Sequence, residues 1–109
     1  MNVLDDKTFR KEISDTKIPI LVDFYADWCG PCKMLGPVLE ELSADKEFEG
    51  KLRFGKINTE NYPSLAQEFS VQGIPCLIFI KGSKEVGRIV GFAPKPVMKA
   101  KIASALNGL

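Results

Sequence analysis

Two thiols and a carboxyl group stand close together in the segment VDFYADWCGPCK, at positions 22 to 33. A glycine and a proline separate Cys29 from Cys32, and Asp23 interrupts an apolar run upstream of them. Two cysteines at this spacing can close a small disulfide loop at little cost in chain entropy, so the pair can pass reversibly between dithiol and disulfide. The residues therefore predict redox chemistry at Cys29 and Cys32.

The same spacing could instead supply half of a metal site or be a packing coincidence. The chain has three cysteines and no histidine, whereas a structural zinc site usually takes four cysteine or histidine ligands. Cys76 lies far from the pair in sequence, and a coincidence does not account for Trp28, Gly30 and Pro31 around it. We predict no metal site. The odd number of cysteines leaves one thiol unpaired and favours a reducing, cytoplasmic compartment.

The pair lies where a strand should meet a helix. The near-continuous apolar run IPILVDFYA predicts a strand buried on both faces, and leucines at helical spacing after Pro31 predict a helix. Cys29 then lies at the helix N-terminus, where unpaired N–H groups and the helix dipole should lower its thiol pKa and make it the attacking nucleophile. Gly30 permits a tight turn, and Pro31 suits the first helical turn. Cys32 lies one turn further on and should be the more buried cysteine.

Asp23 lies in the middle of that strand, where burial disfavours the carboxylate and should raise its pKa. Cys32 must lose a proton before it attacks a mixed disulfide, and a carboxylate of raised pKa can accept one. Asp23 could instead only hydrogen-bond neighbouring backbone. In KLRFGKI, the alternation puts Lys56 on the same face as Leu52 and Phe54, so its side chain should either reach a carboxylate or extend to solvent.

The other apolar patterns alternate between helical and strand periods. Helices are predicted in DDKTFRKEI, PCKMLGPVLEELSADKEF, NYPSLAQEF and KPVMKAKIASALNGL. Buried strands are predicted in IPILVDFYA, PCLIFI and SKEVGRIVGF, a short strand in KLRFGKI, and an edge strand in NVL that is short or missing. Alternating strands and helices predict parallel pairing with helices on both faces of a sheet. The short turn KGS predicts that the last two strands form an antiparallel hairpin.

Capping and facing residues follow from these patterns. An aspartate should cap the first helix and Asn61 the third. The last helix should bury one face, made of Met98, Ile102, Ala105 and Leu109. We predict one domain over residues 1–109, of the α/β class, with a central mixed sheet of four or five strands.

Charge and hydropathy exclude other classes of protein. The formal net charge is +1 with both signs mixed along the chain, which offers no basic surface for nucleic acid or an anionic membrane. No apolar run reaches the ~20 residues of a membrane span, and the start MNVLDDKTFRKEI lacks the features of a signal peptide. We expect a cytoplasmic protein that binds neither nucleic acid nor membrane.

The segments WCGPCK, VDFYA, GIPC and VGF together resemble the thioredoxin family, over nearly the whole chain. The resemblance implies the thioredoxin fold, with four helices around the central sheet. It implies a protein-disulfide reductase that works through a Cys29–Cys32 disulfide with no bound cofactor, acts on disulfide-containing target proteins, and is recharged by a thioredoxin reductase. Asp23 would lie beneath the disulfide, with Lys56 near it. We expect a monomer.

The resemblance also implies a groove for an extended target chain. The Ile74–Pro75 peptide bond would be cis and face the disulfide, and the backbone of Ile74 would pair with a target strand. Gly91 would let the target approach closely, and Trp28 would form a flat apolar wall unless it belongs to the core. The predicted substrate-binding residues are Trp28, Gly30, Pro31, Ile74, Pro75 and Gly91.

Three residues depart from the family pattern. Tyr25 stands where many thioredoxins carry a second tryptophan, Thr59 where an apolar residue often lines the groove, and Cys76 where threonine is common. Cys76 is either a buried, inert thiol or one with a regulatory or thiol-exchange role.

Two other functions share part of this sequence pattern. An oxidase or isomerase domain commonly has a histidine between the two cysteines and would need export. A non-catalytic adaptor that uses only the groove would not need Cys29, Cys32 and Asp23 together.

Overall fold

A five-stranded mixed sheet lies between two pairs of helices in the computed structural model, which describes the whole chain, residues 1–109. The strands are β1 (Asn2–Val3), β2 (Ile20–Tyr25), β3 (Arg53–Asn58), β4 (Cys76–Lys81) and β5 (Lys84–Val90), and the helices are α1 (Asp6–Asp15), α2 (Gly30–Ser43), α3 (Pro63–Glu68) and α4 (Lys95–Asn107). The strand order is β1-β3-β2-β4-β5. β1 and β2 run parallel to β3, β4 is antiparallel to β2, and β5 is antiparallel to β4. The predicted fold class is confirmed.

Two apolar layers cover the faces of the sheet. Side chains of α2 and α4 pack with Leu21, Leu77 and Phe79 on one face. Side chains of α1 and α3 pack with Phe24 and Ile78 on the other. Because neighbouring strand residues point to opposite faces, β2 and β4 need apolar residues at nearly every position, as their sequences have. Asp23 is the one buried charged residue in these two central strands, and it departs from this apolar pattern.

Several local predictions can be compared with the structure. The first helix has the predicted aspartate cap, since Asp5 accepts a hydrogen bond from the N–H of Thr8 at 2.7 Å. The prediction for Asn61 is wrong. Pro63 is the first residue of α3, so the N-cap is Tyr62, and Asn61 lies one residue outside the helix.

The elements near the chain ends also differ in detail from the predictions. Met98 and Ile102 are buried as predicted, but Leu109 is exposed because α4 ends at Asn107. The predicted edge strand exists but has only two residues, β1. β5 is an exposed edge strand rather than a buried one, because no strand covers its outer side. No helix of the chain is both long and apolar enough to cross a membrane.

Candidate active site

The predicted thiol pair is closed as a disulfide between Cys29 and Cys32 at the start of α2. Cys29 is the N-cap residue of the helix, and its Sγ accepts a hydrogen bond from the N–H of Cys32 at 3.2 Å. Pro31 lies in the first turn, where its missing N–H leaves no donor unpaired. A sulfur in this position receives both an N–H group and the positive end of the helix dipole, which favours a thiolate over a thiol.

The expectation that Cys32 is the more buried cysteine is wrong for this disulfide form, since both residues are only 5% exposed. Cys29 packs with Ala26 against the chain at Ile74, whose carbonyl oxygen lies 3.8 Å from the Cys29 Sγ. The segment before β4 therefore covers the first cysteine about as well as the helix covers the second.

Asp23 is 2% exposed in the middle of β2, and its Oδ1 is buried without a hydrogen-bond partner. Burial disfavours the carboxylate and raises the pKa of Asp23 to about 7, while the positive charge of Lys56 opposes this rise. The alternative prediction is that Asp23 only hydrogen-bonds neighbouring backbone. Its Oδ1 makes no such bond, so this atom does not support that role. A buried carboxyl group that titrates near neutral pH is suited to exchange a proton.

Lys56 lies directly opposite Asp23 in the parallel β2–β3 register. Its side chain is half-buried, and its Nζ lies 5.5 Å from the centre of the Tyr25 ring. The lysine therefore takes neither of the two predicted positions fully, since it does not reach the carboxylate and does not extend freely into solvent. Its charge acts on Asp23, but no ion pair joins the two side chains.

A cavity of about 300 Å³ joins these groups beside the disulfide. Asp23, Cys32 and Lys56 all contribute to its wall. The other lining residues are Tyr25, Ala26, Asp27, Lys33 and Gly36. The sequence singled out only Tyr25 among these, and not as part of a cavity. Their places within four residues of the cysteine pair are the sequence signal that could have identified them. The cavity gives the buried carboxyl group and the second cysteine a common space.

The segment predicted to pair with a target chain lies beside the disulfide at Ile74. The Ile74–Pro75 peptide bond is cis, and the N–H of Gly91 donates to the carbonyl of Pro75 at 2.8 Å. Neither the N–H nor the carbonyl of Ile74 takes part in a backbone hydrogen bond, so both are available to a partner strand. Trp28 is 69% exposed, which excludes the core position considered for it.

Gly91 is required by the backbone rather than by close packing within the chain. Its φ of +97° is rarely adopted by residues with a side chain, and no atom lies within 4 Å of the place where a Cβ would stand. The surface in front of it is therefore open. Two exposed apolar residues that the sequence patterns did not single out, Val90 beside Gly91 and Met34 at the start of the second turn of α2, add to the apolar surface of this end of the molecule.

Cys76 is only 1% exposed. This burial agrees with the first alternative for this residue, a buried and inert thiol. Cys76 packs with the apolar layer under α1 and α3, whereas Asp23 lines the cavity beside the disulfide. Burial raises the pKa of its thiol, and the nearby charge of Arg88 opposes the rise. No three or more His, Cys, Asp or Glu side chains are grouped as a metal site would need.

The amino-acid sequence matches a known protein family over most of its length. The profile of the Thioredoxin family matches residues 1–104. Thioredoxin 1 of Nostoc sp. is 39% identical over 101 residues, which span 93% of this chain and 92% of the relative. Thioredoxin of Chlorobaculum thiosulfatiphilum is 45% identical over 97 residues, spanning 89% and 88%. The chloroplastic M-type thioredoxin of Chlamydomonas reinhardtii is 36% identical over 104 residues, spanning 95% and 73%.

Proposed function

The chain belongs to the thioredoxin family of protein-disulfide oxidoreductases, and from that premise we propose that it reduces disulfides of target proteins in the cytoplasm and is re-reduced by a thioredoxin reductase. The observation that carries the proposal is the Cys29–Cys32 disulfide at a helix N-terminus, beside a cavity that holds a carboxyl group of raised pKa. A single domain, residues 1–109, acts as a monomer. It needs no bound cofactor, because the redox-active disulfide is part of the chain.

In the first proposed step, the Cys29 thiolate attacks one sulfur of a target disulfide. A bond forms between the Cys29 Sγ and that sulfur, and the other target sulfur leaves as a thiolate. The N-cap position supports this role, because the N–H of Cys32 and the helix dipole stabilise negative charge on the Cys29 sulfur.

In the second proposed step, Cys32 loses its proton and attacks the Cys29 Sγ. The Cys29–Cys32 disulfide forms, the second target sulfur leaves, and two electrons have passed from the dithiol to the target. Asp23 accepts the proton, directly or through water in the shared cavity. Lys56 is a positioning residue here. Its charge opposes the effect of burial and keeps the pKa of Asp23 near neutral pH.

The proposed groove holds the target chain in an extended form. The free N–H and carbonyl of Ile74 form the pairing edge, as in β-augmentation. Pro75 and Gly91, which a backbone hydrogen bond joins, follow this edge, and Trp28 supplies an exposed apolar surface. Gly30 and Pro31, between the cysteines, are exposed and complete the border of the groove.

Insulin reduction with dithiothreitol tests this function directly. Wild-type protein should accelerate insulin precipitation, whereas Cys29→Ser should not differ from dithiothreitol alone. Candidate NADPH-dependent and ferredoxin-dependent reductases then replace dithiothreitol, to identify the electron donor. The proposed function is wrong if, with every reductant tested, wild-type protein reduces insulin no faster than Cys29→Ser does.

A further inference from the structure

Arg88, on the edge strand β5, contacts both ends of the segment that carries Ile74. Its Nη2 donates to the carbonyl of Phe69 at 2.6 Å, and its Nη1 donates to the carbonyl of Ser70 at 3.5 Å. The same Nη1 lies 3.9 Å from the Sγ of Cys76, the residue directly after Pro75. One guanidinium group therefore contacts the chain before and after residues 71–75.

The segment needs such contacts because it has few of its own. α3 ends at Glu68, and Ser70 adopts a φ of +54°, a left-handed conformation that is unfavourable for a residue other than glycine. The N–H groups of Ser70 and Val71 bond back to the last turn of the helix, as in a Schellman motif. The carbonyls of Phe69 and Ser70 have no backbone partner, and residues 71–75 belong to no helix or strand.

The guanidinium group is itself held in place. Its Nε and Nη2 bond to the two carboxylate oxygens of Glu85, each at 2.6 Å. A bidentate pair of this kind fixes the plane of the guanidinium group, and so fixes the directions of its remaining N–H donors. Lysine has no such planar fork and could not serve Glu85 and the two carbonyls in the same geometry.

We propose that Arg88 is a positioning residue for target binding, which holds the segment from Ser70 to Pro75 so that the backbone of Ile74 stays aligned beside the Cys29 sulfur. The Ile74 carbonyl is 3.8 Å from that sulfur, so a small displacement of the segment would change how a target strand is presented to it. This inference rests on the proposed function, because it requires a target chain that pairs with Ile74.

Two disulfide substrates separate this role from general stability. Insulin offers a peptide backbone that can pair with Ile74, whereas the aromatic disulfide 5,5′-dithiobis(2-nitrobenzoate) has none. Pre-reduced Arg88→Gln should need a roughly threefold to tenfold higher insulin concentration for half-maximal rate, the effect of losing a few hydrogen bonds from a charged group. Its maximal rate with insulin, and its rate with the aromatic disulfide, should stay within about twofold of wild type.

Arg10→Gln is the matched control. Arg10 also forms a bidentate pair with a carboxylate, that of Glu68, but it donates to neither Phe69 nor Ser70. It should keep the wild-type rates with both substrates. Arg88→Lys retains the charge without the fork and should restore only part of the insulin affinity, and it serves as the test variant if Arg88→Gln does not fold.

Amide hydrogen exchange gives a second readout that does not require a target. The N–H group of Val71, which donates to the carbonyl of Ala66, should exchange faster in Arg88→Gln than in Arg10→Gln. The inference is overturned if Arg88→Gln binds insulin as wild type does, or if its rates with both substrates fall in parallel. If wild-type protein reduces the aromatic disulfide but not insulin, the proposed function fails, and unchanged exchange would then refute the role of Arg88 separately.

Discussion

Two cysteines three residues apart have different surroundings because one helical turn separates them. Cys29 is the N-cap of α2 and accepts the N–H of Cys32, whereas Cys32 lies inside the helix and lines the cavity that contains Asp23. The proposed division of labour follows from this asymmetry. The sulfur that is stabilised as an anion attacks first, and the sulfur beside a proton acceptor attacks second.

Replacing Cys32 with serine should stop the reaction after the first step. In Cys32→Ser the Cys29 thiolate can still attack, but no second thiol can release the target, so a mixed disulfide through Cys29 accumulates. Non-reducing gel electrophoresis with mass mapping of the adduct would identify the linkage. Adducts through Cys32 in Cys29→Ser, together with none in Cys32→Ser, would reverse the two roles.

The third cysteine should not take part in this chemistry. Cys76 is 1% exposed and packs with the apolar layer under α1 and α3, and burial raises its thiol pKa, so little thiolate is available at neutral pH. Cys76→Thr should therefore keep the insulin reduction rate within about twofold of wild type. A bulky maleimide should label the native oxidised protein only after unfolding. Labelling within the mixing time would instead reveal an accessible, reactive thiol.

At the scale of the elements, the hairpin of β4 and β5 depends on a two-residue turn with unusual backbone angles. Gly82 and Ser83 have φ values of +59° and +65°, as in a type I′ turn, and a Cβ at Gly82 would meet no atom within 4 Å. Asparagine tolerates this conformation better than other residues with a side chain and has fewer unfolded conformations than glycine.

Gly82→Asn should therefore stabilise the protein by about 0.5 kcal/mol, whereas Gly82→Val should destabilise it by about 1–2 kcal/mol because a β-branched residue is strained at positive φ. Urea unfolding at a fixed pH measures both changes, with wild type as the reference. Equal stability of the asparagine and valine variants would show that the turn does not hold the angles described here.

The elements whose pattern repeats over many residues could be predicted from the sequence, and contacts between distant residues could not. β2, α2 and β4 follow from apolar periodicity, and the position of Cys29 at a strand-to-helix turn follows from them. β1 has only two residues, which is too short for any period to appear. The burial of Cys29 and the contacts of Arg88 depend on segments far away in sequence, so no local sequence pattern predicts them.

At the scale of the whole molecule, the catalytic end lies where the central strands meet the helix that covers them. The sheet supplies Asp23 and Lys56 from neighbouring parallel strands, and α2 supplies the cysteine pair. A carboxyl group in this position reduces the stability of the fold, because the core must hold a group that prefers water when ionised. The stability of the entire molecule should therefore report the protonation of this one residue.

The free energy of unfolding should depend on pH through Asp23. The folded protein raises the pKa of Asp23 from 3.8 to about 7. Between these two pH values the folded protein keeps a proton on Asp23 that the unfolded chain has lost. The contribution of Asp23 is therefore most favourable below the unfolded pKa, falls as the pH rises, and levels off above about pH 7, after a total loss of roughly 3–5 kcal/mol.

Asp23→Asn removes this titration and should be more stable than wild type at pH 8, by an amount that shrinks toward zero or reverses near pH 3, below the unfolded pKa of 3.8, where wild-type Asp23 is mostly neutral in both states. Urea unfolding of the oxidised proteins across this range measures the difference, in which the contributions of all other groups cancel. Asp27→Asn, which removes an exposed carboxyl group from the wall of the same cavity, should not reproduce the effect. A pH-independent difference between Asp23→Asn and wild type would mean that Asp23 does not hold a proton in the folded protein, and it could then not act as the proton acceptor for Cys32 near neutral pH.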